Sequence, residues 1–176
     1  MSHKLDVLIS AEEIQQRLDE LAEEIKKDYE GKELTLICIL KGGVMFLVDL
    51  ARRLPPDSIE LDFMDVSSYG DEFKSSGVIK VDKDLKNPIT NKHVLLVEDI
   101  IDTGRTLSYL QKHLISQKPA SLKFCTLLDK PERRVVKDII PDYIGFTIPD
   151  KFVLGYGLDY LQKYRGLPYI GVMMQE

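Results

Sequence analysis

The sequence predicts an α/β fold, a mostly parallel twisted sheet flanked by helices. Three observations predict it. Short apolar runs rich in β-branched residues recur at 34–40, 59–66, 94–97 and 121–128. Segments with apolar residues at helical spacing separate several of them. The order strand, helix, strand over 34–66 also implies a right-handed crossover between parallel neighbours.

The first helix opens at Ser10, with Glu13 at capping-box spacing, so that each side chain satisfies a free N–H at the helix start. Ile14, Leu18, Leu21, Ala22 and Ile25 share one face, and Gly31 is an end signal. The strand at 34–40 is apolar on both faces. A helix follows over about 44–54, with Phe46, Leu47, Leu50 and Leu54 facing inward and Pro55–Pro56 stopping it. After the strand at 59–66, residues 67–77 read as a polar, flexible surface loop carrying Gly70 and Gly77, and 78–81 as a short returning strand. A strongly apolar strand at 94–97 precedes a helix over about 106–116, and a strand at 121–128 follows. The tail alternates apolar runs at 143–148 and 169–174 with loops bearing Gly and Pro.

A chain of 176 residues suits one domain, here 1–176, and no repeat, low-complexity tract or linker divides it. With 44% hydrophobic and 30% charged residues it has the material for a core. Its net charge of −5 lacks the basic bulk expected of a nucleic-acid binder. No apolar run reaches the roughly 18 residues of a membrane span, and no secretory signal is evident, so the expected compartment is cytoplasmic. Cys38 and Cys125 sit in apolar runs and read as buried reduced thiols. His3, His93 and His113 have no metal-ligand spacing.

The informative segment follows the 94–97 strand: Glu98, Asp99, Ile100, Ile101, Asp102, Thr103, Gly104, Arg105, Thr106. Ligands of parallel sheets bind beyond the carboxyl ends of the strands. Thr103, Gly104 and Thr106 offer N–H groups and hydroxyls to an anion at a helix N-terminus. Acids beside a phosphate would repel it, so Glu98 and Asp99 must face something else, such as ribose hydroxyls or a hard divalent cation. The plain alternative is that Asp102 or Thr103 caps the helix and the acids are solvated. That accounts for any one acid, but not for the whole block at the exit of an apolar strand.

The run Val97 to Thr106 resembles the PRPP-binding motif of type I phosphoribosyltransferases, in particular the hypoxanthine-guanine subfamily, and the resemblance extends from Val7 to the end of the chain. It implies the fold of that family, with a small hood built from the N-terminal segment and about 145–176. It implies that Asp102, Thr103, Gly104, Arg105 and Thr106 hold the 5′-phosphate. Glu98 and Asp99 would then lie near the ribose and an Mg²⁺, and Asp102 would act as general base toward the purine.

Other segments fit the same resemblance. Lys41 and Gly42, in Leu40–Lys41–Gly42–Gly43, correspond to the pyrophosphate loop, with a non-proline cis peptide before the lysine; alone, such a segment is more often a turn. Ser68 and Tyr69 open the loop expected to close over the site. Lys151, Phe152 and Val153 correspond to the purine contacts, the lysine donating to a six-oxo group, the aromatic stacking and the valine offering backbone groups; Lys130 matches a lysine near base and ribose. Asp159 corresponds to a further Mg²⁺ contact and Arg165 to a pyrophosphate contact. The implied activity is transfer of the phosphoribosyl group of PRPP to hypoxanthine or guanine in purine salvage, by a homodimer or homotetramer. Two alternatives compete with it: a PRPP-sensing transcriptional or RNA-binding regulator on this fold, disfavoured by the negative charge, and a phosphoribosyltransferase for another base, disfavoured by the 148–153 segment.

Overall fold

The computed structural model describes residues 4–69 and 78–174. Its main sheet has six strands in the order β4-β3-β2-β5-β6-β7. These are β2 (Leu34–Leu40), β3 (Ile59–Tyr69), β4 (Val78–Lys83), β5 (His93–Ile101), β6 (Ser121–Asp129) and β7 (Tyr143–Thr147). All neighbours are parallel except the hairpin β3–β4. Helices α1 (Ala11–Asp28), α2 (Val44–Ala51) and α3 (Arg105–Ile115) flank it.

Side-chain alternation along the strands builds two cores, one on each face of the sheet. Leu36, Cys38, Leu95, Val97, Cys125 and Leu127 pack with α1 and α2. Ile37, Ile39, Met64, Val94, Leu96 and Phe124 pack with Leu107, Leu110 and Leu114 of α3. Covered on both faces, the central strands must read as continuous apolar runs, as they do in the sequence. The capping box is present on both sides, with Ser10 Oγ accepting from Glu13 N–H and Glu13 accepting from Ser10 N–H. Cys38 and Cys125 are free and buried.

A second, three-stranded antiparallel sheet joins β1 (Leu5–Ile9), β9 (Ile170–Met173) and β8 (Val153–Leu154), in the order β1-β9-β8. It is the hood, and it draws on both ends of the chain.

Three boundaries depart from the sequence reading. β5 does not stop at Val97 but continues to Ile101, because Glu98, Ile100 and Ile101 still pair with Thr126, Leu128 and Asp129 of β6. Glu98 and Asp99 therefore lie on a strand rather than in a loop beyond it, and only Asp102 follows its end. β3 runs through Ser68 and Tyr69, which pair with Ile79 and Val78, so these two residues belong to a hairpin arm and not to a loop. The remainder of the expected loop, 70–77, lies outside the described residues. α2 ends at Ala51, although Leu54 is still buried beneath it.

Candidate active site

The carboxyl ends of β2 and β5 meet the loop that opens α3. Glu98, on β5, is 6% exposed. Burial first, and the Asp99 charge second, push its carboxyl well above the usual carboxylate range. Asp99 is raised too, chiefly by burial, while bonds from Ile100 N–H (2.7 Å) and Glu98 act in the opposite sense. Contact between the two carboxyls raises Glu98 and lowers Asp99, so Glu98 is the one held further toward its neutral form.

Asp99 also sits against the turn after β2. The Leu40–Lys41 peptide is cis, as the resemblance implied. A Cβ placed on Gly42 would fall 1.7 Å from Asp99 Oδ2, so the lack of a side chain there lets the turn and the carboxylate touch. On its other side, Gly157 approaches this turn so closely that a Cβ would fall 2.1 Å from Gly42 O, and Gly157 holds φ +101°, where glycine is favoured. Gly157 N–H donates to Arg165 O (2.9 Å) and Arg165 Nη1 donates to Gly157 O (2.7 Å). Arg165 and Lys41 both reach Gln162 Oε1, at 3.1 and 3.5 Å. Asp159 accepts from Gln162 N–H (2.7 Å) and lies 3.3 Å from Arg165 Nη2. Lys41, Gly42, Asp99, Asp159 and Arg165 are so brought into one neighbourhood, with Gln162, which the sequence reading did not single out, between the two cations.

The start of α3 is only weakly capped. Its N-cap is Gly104, at φ +82°, and no side chain of that residue caps the helix; Arg105 N–H has a long 3.4 Å contact with Thr103 Oγ1. Asp102 Oδ1 instead accepts from its neighbour Thr103 N–H (2.5 Å). The helix N-terminus opens on a cavity of about 210 Å³ lined by Glu98, Asp99, Asp102, Gly104, Thr106 and, from the hairpin, Ser67 and Ser68. A second cavity of about 470 Å³ adjoins it, lined by Ile100, Asp102, Lys130, Arg133, Phe152, Val153, Leu158 and Asp159. Ile100 and Asp102 line both.

Lys130 is 8% exposed, with Nζ 3.7 Å from Asp150 Oδ1. Phe152 is exposed and meets Tyr160 edge-on, at 5.9 Å between centroids. Lys151 is exposed, donates its N–H to Pro149 O (2.8 Å) and does not line the second cavity; Lys130 does line it. Among the described residues, no group of three or more His, Cys, Asp and Glu is gathered closely enough to hold a metal alone.

A family model described as a phosphoribosyl transferase domain matches residues 9–161. The hypoxanthine-guanine phosphoribosyltransferase of Lactococcus lactis is 51% identical over 170 residues, covering 97% of this chain and 91% of that protein. The chain belongs to the hypoxanthine-guanine phosphoribosyltransferase family. A crystal structure of such a phosphoribosyltransferase from Bacillus anthracis superposes with a TM-score of 0.92 at 47% identity, covering 98% of this chain and all of that one (100%). The chain is also 49% identical to part of the bifunctional protein TilS/HprT of Listeria monocytogenes, over 170 residues and 97% of this chain, and spans only 26% of that protein. Within the phosphoribosyltransferase fold, the acid pair, the Gly42 turn and the α3 N-terminus all lie at the carboxyl edge of the parallel sheet, where ligands of such sheets bind.

Proposed function

We propose that the chain transfers the 5-phosphoribosyl group from PRPP to hypoxanthine or guanine, giving IMP or GMP and pyrophosphate, as a purine-salvage enzyme acting throughout as one unit, 1–176. One observation carries this reading: Asp102 stands at the junction of a cavity with an uncapped helix N-terminus and a cavity with a buried lysine and an aromatic ring. A base in the second and a ribose phosphate in the first would meet beside its carboxylate.

In this reading Thr103, Gly104, Arg105 and Thr106 receive the 5′-phosphate on their N–H groups and hydroxyls, and the α3 dipole favours its charge. Glu98 and Asp99 face the ribose hydroxyls. The purine ring nitrogen attacks the anomeric carbon, the bond from that carbon to pyrophosphate oxygen breaks, and Asp102 takes the proton from the imidazole edge. Lys41, Gly42 and Arg165 stabilise the departing pyrophosphate. Phe152 stacks on the base and Val153 offers backbone groups to it. The six-oxo donor is Lys130 rather than Lys151, since Lys130 is the one facing the cavity. A cationic donor favours an oxo-purine over adenine, whose amino group would confront it with another donor. Ser68 and Tyr69, on the hairpin arm, would flank a closing 70–77 loop.

The donor set suits Mg²⁺. Two adjacent buried carboxylates, with Asp159 nearby and no closed protein cage, match an ion held by one or two carboxylates together with substrate oxygens. When bound, the ion offsets charge on pyrophosphate and orders the ribose hydroxyls. We also infer a cytoplasmic homodimer or homotetramer; buried free thiols suit a reducing compartment, and no helix among the described residues is long and apolar enough to cross a membrane.

Purified protein with PRPP and Mg²⁺, offered each purine and pyrimidine in turn, tests the reading. IMP and GMP should form, with adenine and pyrimidines left unused. PRPP binding without nucleotide formation would favour the sensor alternative instead.

A further inference from the structure

Arg134 lies outside both cavities, yet its guanidinium is engaged on every side. Nε donates to Asp102 O (3.0 Å), Nη1 donates to Ile139 O (2.7 Å), and Nη2 pairs with Asp129 Oδ1 at the end of β6. The side chains of this ion pair are only 10% and 9% exposed. The stem packs on the loop too, since a Cβ on Gly104 would lie 3.0 Å from Arg134 Cδ. The next two residues continue the contact: Val135 N–H and Val136 N–H both donate to Thr103 O, at 2.9 and 3.0 Å.

These bonds have a directional consequence. A trans peptide points its C=O and N–H to opposite sides. With the carbonyls of Asp102 and Thr103 turned outward onto Arg134, Val135 and Val136, the N–H groups of Thr103 and Gly104 are turned the other way, where Asp102 Oδ1 holds the first of them. Gly104 lines the first cavity and Arg134 does not. A fork with three acceptors fixes two backbone units at once, which a point cation cannot do.

We propose that Arg134 is a positioning residue for the 5′-phosphate: it never touches substrate, but anchors the loop at Asp102–Gly104 to β6 through Asp129 so that the loop N–H groups are preset toward the anion. The proposal rests on the reading that residues 102–106 take the phosphate.

Three variants of the full chain test it, with steady-state kinetics in PRPP and in hypoxanthine, calorimetric titration of IMP, and thermal unfolding. Arg134→Met keeps the stem and removes the fork. It should raise the KM for PRPP and weaken IMP about tenfold, roughly the worth of one lost charge-assisted bond, while the KM for hypoxanthine stays within about twofold. Arg134→Lys should recover only part of the loss, and it carries the same test if Arg134→Met does not fold. Unchanged PRPP and IMP parameters would overturn the proposal, and so would a parallel decline of every kinetic parameter with the unfolding midpoint, which marks a purely structural role. Thr106→Val separates the two layers. If it weakens PRPP and IMP while the Arg134 variants do not, the anchor fails and the phosphate loop stands. If it too leaves them unmoved, the loop reading falls and the anchor with it.

Discussion

At the residue scale, the site depends on groups held where water and neighbours would not leave them. Asp102 is a carboxylate at the meeting point of two cavities, so Asp102→Ala should lower kcat by about 10²- to 10⁴-fold, the span of general-base catalysis, with little change in the KM for PRPP. Equal losses in both would mean that it only shapes the loop. Gly42 presents the opposite constraint, an absence of atoms. In Gly42→Ala the new methyl would occupy the place of Asp99 Oδ2, so turnover and the pyrophosphate-dependent reverse reaction should both fall, read by comparing the two directions. The place of Glu98, Asp99 and Asp102 beside a cavity was legible from sequence because charge at the end of an apolar run is unusual. The place of Lys130 against Lys151 was not, since both follow a strand-like run and only the fold turns one side chain inward. Arg134 left no sequence signal, because two of its three partners are main-chain carbonyls.

At the scale of elements, helix starts divide by task. α1 begins with a closed capping box, and α3 begins with a glycine that supplies no side-chain cap. Ser10→Ala should therefore cost about 1 kcal/mol and lower the unfolding midpoint by about 2–4 °C, with kinetics untouched. Scanning calorimetry beside an activity assay checks both halves. The strands were harder to bound than the helices. β5 carries Glu98 and Asp99 within the ladder, although carboxylates disfavour strands; pairing with β6 overrides the propensity. β1 and β8 went unanticipated because a two-residue strand, and one paired across the whole chain, impose no local period.

At the scale of the molecule, the core between the sheet and helices α1 and α2 keeps both thiols out of water. Burial, then the Glu98 and Asp99 charges, push the Cys38 thiol up to about 12, and burial raises Cys125 as well. An unfolded thiol ionises near 9.0, so the stabilisation is complete below that pH and is lost as pH rises from about 9 toward 12. Urea titrations at pH 7 and pH 10 should show lower stability at the higher value, and a thiol reagent should find neither cysteine until the chain unfolds. The hood has a mechanical corollary. β9 pairs with β1 on one side and β8 on the other, and β8 carries Val153 onto the lining of the second cavity. Loosening β9 from either neighbour would therefore free β8 as well, so damage at the β1 edge of the small sheet should be felt at a cavity wall that β1 never touches.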